Sequence, residues 1–244
     1  MLTQHHSAAP LLGVMAKYWT PGRVKTRLGQ TIGIEKSAQL HRLFCLHLAQ
    51  TLGTTAWADA VNLVSADWQR QFVVAPDADC ELFQRELPAD WIVASQGDGD
   101  LGDRINRWFK STATKGHRVL IGADCPLIDV TLIDQALRAL DQQDVVLGPA
   151  QDGGYYLIGI SGTNSSRIEQ LTQSITWSTE TVYQDTCRNA EHAGLSVATL
   201  PIKQDVDTID ELNALIIQLK RHVAPLDLNH PNTRLLAEME AILS

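Results

Sequence analysis

The sequence predicts an α/β fold: a three-layer α/β/α arrangement on a mainly parallel sheet. Three observations predict it. Apolar runs of strand length alternate with segments of helical period along the chain. Strands separated by helices call for crossover connections, which cover both faces of a parallel sheet. The length of 244 residues fits one large domain or two small ones, and no repeat or low-complexity linker divides the chain.

The elements follow in order. Residues 11–16 are a short apolar run ending at Lys17, the pattern of a buried strand. Thr20-Pro21-Gly22 breaks it into a loop. Residues 34–52 carry Ala38, Leu40, Leu43, Phe44, Leu46, Leu48 and Leu52, and read as a helix. Residues 54–70 fit helix better than strand. Residues 71–75 read as a strand, 80–87 as a helix and 91–94 as a short strand. A helix is expected at 101–112 and a strand at 118–122. Residues 131–140 form a helix with Asp129 or Thr131 as cap. Strands follow at 145–147 and 155–160, the second preceded by Gly153-Gly154. Residues 179–193 are helical, with Ser178 or Thr179 as cap, and 195–200 a strand. Helices at 209–222 and 232–243 complete the chain.

Composition removes several function classes. Hydrophobic content of 44% and charged content of 20% exclude wholesale disorder. No uncharged apolar run reaches ~18 residues, so no membrane partner is expected. The four cysteines, Cys45, Cys80, Cys125 and Cys187, show no C-x-x-C pair. A zinc site, redox dithiol or disulfide framework is therefore not expected, and a reducing cytoplasm is the default. The opening residues lack the basic and apolar regions of a signal peptide.

The net charge of −8 hides an asymmetry. Residues 1–34 contain no Asp or Glu, but hold Lys17, Arg23, Lys25 and Arg27. Such an island draws an anion. It is too short for the ~6–10 phosphate contacts of salt-sensitive nucleic-acid binding, so no nucleic-acid partner is expected.

Ligands of open α/β sheets bind beyond the carboxyl ends of the strands, so the polar segments there are the candidates. The four cations lie within eleven residues of the first strand's end, around a Pro-Gly turn. Arg grips phosphate with a fork and Lys with a point charge, which suits a diphosphate. Neither a Walker loop nor G-x-G-x-x-G is present. Asp124 follows the apolar run 119–122. It either binds a divalent cation together with phosphate oxygens or caps the next helix.

Asp152-Gly153-Gly154 offers a base for an acceptor hydroxyl beside two glycines that let a ligand or backbone come close; a plain Gly-Gly turn is the alternative. Asp205 and Asp207 are each a second metal ligand or a helix cap. Gly97-Asp98-Gly99-Asp100 reads as a loop entering a helix, with Asp100 and Asp103 suited to the helix N-terminus. Trp177 either packs or lines a pocket.

Taken together, these segments resemble a known bacterial family. A-K-x-x-x-P-G-x-V-K-T-R-L at 16–28, G-D-L-G-D-R at 99–104, L-I-G-x-D-C-P at 120–126, G-P-A-x-D-G-G-Y-Y-L-I-G at 148–159, W-S-T at 177–179 and D-V-D-T-x-x-E-L at 205–212 occur in its order. The family is the selenodomain-associated transferases, some described as glycosyltransferases of arsenosugar biosynthesis. The match covers residues 11–220, approximately.

The resemblance implies a GT-A-like nucleotide-diphospho-sugar transferase domain over 1–222 and a C-terminal helical extension over 223–244. It implies phosphate contacts from Lys17, Arg23, Lys25 and Arg27, and Mg²⁺ or Mn²⁺ on Asp124 and Asp207. Substrate then lies against Gly153 and Gly154, with Asp152 as base. Many GT-A glycosyltransferases carry D-x-D, whereas Gly122-Ala123-Asp124 has one aspartate, as nucleotidyltransferases do. The expected activity is metal-dependent glycosyl transfer from a nucleotide-diphospho-sugar to a small acceptor. The alternatives are guanylyltransferase-like nucleotidyl transfer to a phosphorylated acceptor, and a nucleotide-binding module without catalysis.

Overall fold

The computed structural model describes residues 8–54, 68–111, 115–223 and 230–244. A seven-stranded sheet runs β3-β2-β1-β4-β6-β5-β7. Its strands are β1 (Leu11–Lys17), β2 (Gln69–Ala75), β3 (Ile92–Ser95), β4 (Arg118–Gly122), β5 (Val145–Pro149), β6 (Tyr155–Ile160) and β7 (Val197–Thr199). The helices are α1 (Thr26–Ile32), α2 (Ile34–Thr51), α3 (Cys80–Gln84), α4 (Leu101–Ser111), α5 (Val130–Leu140), α6 (Ile168–Thr172), α7 (Val182–His192), α8 (Ile209–Val223) and α9 (Pro231–Leu243). The helix expected over 54–70 falls largely outside the described residues. Gln69 and Arg70, at its end, already belong to β2.

The three-layer α/β/α architecture is present, and the sheet is parallel at all pairings but two. β6 runs antiparallel to both β4 and β5. Two reversals leave β5 pointing the same way as β4, so the β5–β6 turn lies at the same sheet edge as the end of β4. The helix expected from 179 starts at Val182, after Ser178 adopts a left-handed backbone. Helices α1 and α6 were not expected. α1 is short and buries only Leu28 and Gly29, so it shows little apolar period.

Alternation along β1 sends successive residues to opposite faces. Leu12, Val14 and Ala16 join Cys45 and Leu48 of α2 and Ile133 and Leu137 of α5 in one core. Leu11, with Val73 and Leu120 from neighbouring strands, joins Ile105, Trp108 and Phe109 of α4 in the other. Gly13 makes that second core possible, because a Cβ there would meet the Trp108 ring at 2.5 Å. A third cluster lies to one side. It joins Leu28 of α1, Leu40 and Phe44 of α2, Leu212 and Leu219 of α8, and Leu235 and Met239 of α9. The helix at 231–243 thus packs within the fold, behind the loop that precedes α1. Among the described residues, no helix is long and apolar enough to cross a membrane.

Met239 is fully buried between α9 and its neighbours. Met239→Ala is expected to cost about 2–5 kcal/mol, read as a lower urea midpoint; an unchanged midpoint would contradict the third cluster. His47 of α2 is buried, and burial, then the nearby His230, lowers its pKa to about 4. An unfolded imidazole titrates near 6.5, so the fold favours the neutral form. That contribution is complete above pH 6.5 and is lost as pH falls towards 4. The urea midpoint of wild type should therefore fall more steeply over this interval than that of His47→Gln. Parallel curves would refute it.

Candidate active site

Parallel strands release their polar ends at one edge of the sheet, and a cavity of about 680 Å³ opens there. Its wall comes from the loop after β1, from Gln96 after β3, from Gly122 and Asp124 at the end of β4, from the β5–β6 turn, and from Asp205 and Asp207 after β7.

At its floor one ammonium sits between two carboxylates. Lys25 Nζ forms a salt bridge with Asp124 Oδ1 and lies 3.1 Å from Asp207 Oδ1. The Lys25 side chain is 2% exposed, whereas those of Asp124 and Asp207 are 47% and 39% exposed. The carboxylates therefore face the cavity and the ammonium lies beneath them. Burial alone would push the Lys25 pKa down, but Asp124 and Asp207 hold it above the ordinary value. Burial opposes ionisation of Asp124 as well, and Lys25 and then His41 keep its pKa low. The segments are tied together by backbone too, since Val206 N–H donates to the Asp124 carbonyl at 3.0 Å.

Neither aspartate caps a helix. Asp129 caps α5, accepting from Leu132 N–H at 2.9 Å. Thr208 and Glu211 form a capping box at α8, with the Glu211 carboxylate accepting from Thr208 N–H at 2.7 Å. Both aspartates are thus left to the cavity.

His41 of α2 completes the floor. Its Nε2 donates to the Lys17 carbonyl at 3.0 Å, and Nδ1 lies 3.8 Å from Asp124 Oδ1. Nδ1 is buried and has no hydrogen-bond partner among the described residues. Burial first of all lowers the His41 pKa, against the opposing pull of Asp124, and the ring lies beneath that carboxylate. Sequence reasoning missed it, because it stands among the apolar residues of α2; a polar ring among those residues was the available signal.

Lys17, Arg23 and Arg27 also line the cavity. All three are exposed, and none forms an ion pair among the described residues. The whole basic island predicted from sequence is therefore brought to one wall.

Asp152 and Gly154 line the cavity; Gly153 does not. The Asp152 carboxylate accepts from Gly154 N–H at 2.8 Å. Gly153 has φ +89°, and a Cβ there would meet the Glu180 carbonyl oxygen at 2.1 Å. It seats the loop before α7, whose Tyr183 N–H donates to the Gly153 carbonyl at 2.9 Å. Ala150 and Lys203 form a parallel bridge, which carries Asp205 alongside Asp152. Burial, then the Asp152 charge, raises the Asp205 pKa to about 6.

The remaining wall is largely apolar. Leu101 and Ile105 of α4, Tyr155, Trp177 and Val182 line it. A Cβ on Gly102 would meet the Trp177 indole at 2.9 Å, so this glycine lets the ring lie on α4. Asp100 and Asp103 are structural: each accepts from the other's N–H, at 2.9 and 3.1 Å. The Gly97-to-Asp100 loop is held by arginines, with Arg107 Nη2 donating to the Asp98 carbonyl at 2.7 Å and Arg104 Nε to that of Gly99 at 3.1 Å.

The donor set suits a divalent cation in one respect. Two carboxylates from separate segments already converge on a single stand-in cation, the Lys25 ammonium. Among the described residues no cluster of three or more His, Cys, Asp or Glu side chains forms a metal site. An ion here would take its other ligands from substrate oxygens or water.

Known proteins share this fold. A family model described as uncharacterized proteins conserved in bacteria (DUF2064) matches residues 60–179. A crystal structure from Desulfovibrio desulfuricans G20 is 32% identical, with a TM-score of 0.78 and 96% of each chain covered. The chain belongs to this bacterial family. The Desulfovibrio relative is provisionally described as a nucleotide-diphospho-sugar transferase. More distant members of the same fold include a cytidylyltransferase from Leptospira borgpetersenii, 13% identical with a TM-score of 0.55 over 98% of this chain and 97% of that one. The inositol-1-phosphate CTP transferase from T. maritima is also 13% identical, with a TM-score of 0.54 over 91% and 99%. No curated protein sequence matches the chain.

Gly153 supplies a test of the site's assembly. Gly153→Ala meets both an unfavourable positive φ and the Glu180 backbone. It should cost about 1–3 kcal/mol and speed proteolysis within 176–181. Wild-type stability and protection would show that this contact is not needed.

Proposed function

We propose that this protein transfers a glycosyl group from a nucleotide-diphospho-sugar to a small acceptor that carries no phosphate. One observation carries the reading: the uneven charge of the cavity wall. All of its Lys and Arg residues, Lys17, Arg23, Lys25 and Arg27, come from one stretch, running from the end of β1 to the first turn of α1. The rest carries no Lys or Arg; it holds Asp124, Asp152, Asp205 and Asp207, the neutral polar Gln96, Ser178 and Thr179, and the apolar Leu101, Ile105, Trp177 and Val182. One diphosphate matches the loop; a second phosphorylated substrate would meet carboxylates. The description of the Desulfovibrio relative supports the same donor class.

In this reading Lys17, Arg23 and Arg27 hold the diphosphate and stabilise the charge that develops as it leaves. Asp124 and Asp207 would hold Mg²⁺ or Mn²⁺, which when bound supplies Lewis-acid neutralisation of the leaving group. The acceptor oxygen forms a bond to the anomeric carbon as the bond from that carbon to the diphosphate oxygen breaks. Asp152 takes the acceptor proton, and the electron pair leaves with the nucleoside diphosphate. Asp205 stands beside Asp152, and burial and then the Asp152 charge raise its pKa to about 6. The apolar wall, with Trp177 and Tyr155, packs against the less polar face of the sugar or acceptor.

The second reading, nucleotidyl transfer to a phosphorylated acceptor, draws on one observation. The end of β4 offers Asp124 alone instead of D-x-D. The two differ in the leaving group. With nucleotide sugars and Mg²⁺ or Mn²⁺, release of nucleoside diphosphate is expected, and Asp124→Ala should abolish it. An unchanged rate would overturn the role of Asp124. Pyrophosphate release from nucleoside triphosphates with phosphorylated acceptors would favour the second reading.

A further inference from the structure

We propose that Lys25 is a tethered counter-ion: it fills the two-carboxylate cleft in the free protein and gives way to a divalent cation when a diphosphate draws the ammonium off. The inference deepens the proposed function and rests on it for the identity of the anion. Its geometry is independent of that reading.

Three observations carry it. First, one Nζ contacts Asp124 and Asp207 together, so the position between them is taken by a unit positive charge. The charges there sum to −1. Without the ammonium they sum to −2, which a divalent cation matches and a monovalent one does not. A second cation beside the ammonium would meet repulsion, so the two compete for one place.

Second, Lys25 stands at the junction of loop and helix with φ 45° and ψ 44°, a left-handed backbone that a lysine adopts at a cost. The residue lies in α1's N-cap position and makes no side-chain capping bond. The salt bridges, rather than local preference, hold it there. A side chain drawn towards a phosphate frees the backbone to relax.

Third, Lys17, Arg23 and Arg27 are exposed and lack ion-pair partners among the described residues. They are free to attract a diphosphate before Lys25 moves. Its arrival gives the ammonium a new anionic partner and leaves the cleft open to a divalent ion. Binding of the two ligands is then mutually reinforcing, since coupling between sites is reciprocal.

The test is Mn²⁺ binding to the full chain, read from the electron paramagnetic resonance signal of free Mn²⁺. In the absence of any anion, Lys25→Met should bind Mn²⁺ about tenfold tighter than wild type, within the usual span of site couplings. Lys25→Arg, which keeps the charge, should stay near wild type. Lys25→Gly suits the left-handed backbone and carries the same expectation if the methionine variant does not fold. Equal Mn²⁺ affinity in wild type and both neutral variants would overturn the proposal.

A second arm uses wild type with methylenediphosphonate, its own chelation of Mn²⁺ calibrated separately. A comparable gain in Mn²⁺ affinity supports the exchange. A bound diphosphonate without that gain overturns it. A diphosphonate that does not bind at all counts against the phosphate site of the proposed function, and the anion-free comparison of variants then decides this proposal.

Discussion

One buried ammonium allows three remote segments to meet. The loop after β1, the end of β4 and the segment after β7 place Lys25, Asp124 and Asp207 within salt-bridge distance. Two carboxylates held that close repel, and a lysine buried to this degree loses its hydration. Each cost is offset only by the other. Removing one member of such a set is destabilising, because the remaining charges are left uncompensated. His41 and the backbone bond from Val206 to Asp124 brace the set further. α1 starts immediately after Lys25, so this electrostatic contact also decides where the third core begins.

Topology supplies the remaining functional groups. β6, inserted antiparallel between β4 and β5, returns the chain so that the β5–β6 turn faces the same opening as Asp124. The bridge between Ala150 and Lys203 then carries the following segment along that turn and delivers Asp205 and Asp207. Acid collects on this side and base on the β1–α1 side. The division comes from which strands end where, and it gives the cavity a polarity that side-chain identity alone would not.

Much of this was legible in the sequence. Each of the seven strands shows as a short apolar run bounded by turn residues, and the large helices show their period. The four basic residues stood out because no acid shares their stretch. Asp124 and Asp207 stood out by following strands, although their rivalry with helix capping was settled only when Asp129 and Thr208 proved to be the caps. What stayed hidden was non-local. α1 is mostly polar outside Leu28 and has no period to read. The hydrogen bond of His41 to the Lys17 carbonyl crosses 24 positions. The pairing of Lys25 with Asp207 spans 182, and no local spacing rule reports such a contact. The role of Gly153 was left open between ligand and backbone approach, and the structure gives it a backbone neighbour, Glu180.

The third cluster has a consequence for how the chain matures. Leu28, next to the basic loop, shares a core with Leu235 and Met239 more than 200 positions later. Closing that core requires contacts of large sequence separation, which form slowly because chain entropy is lost before packing compensates. On the ribosome the sheet's first strands can pair while the wall behind the loop is still being synthesised. A nascent chain that has exposed its basic loop therefore has not yet organised it, and the wall behind the cavity is completed late, after α9 has emerged and docked.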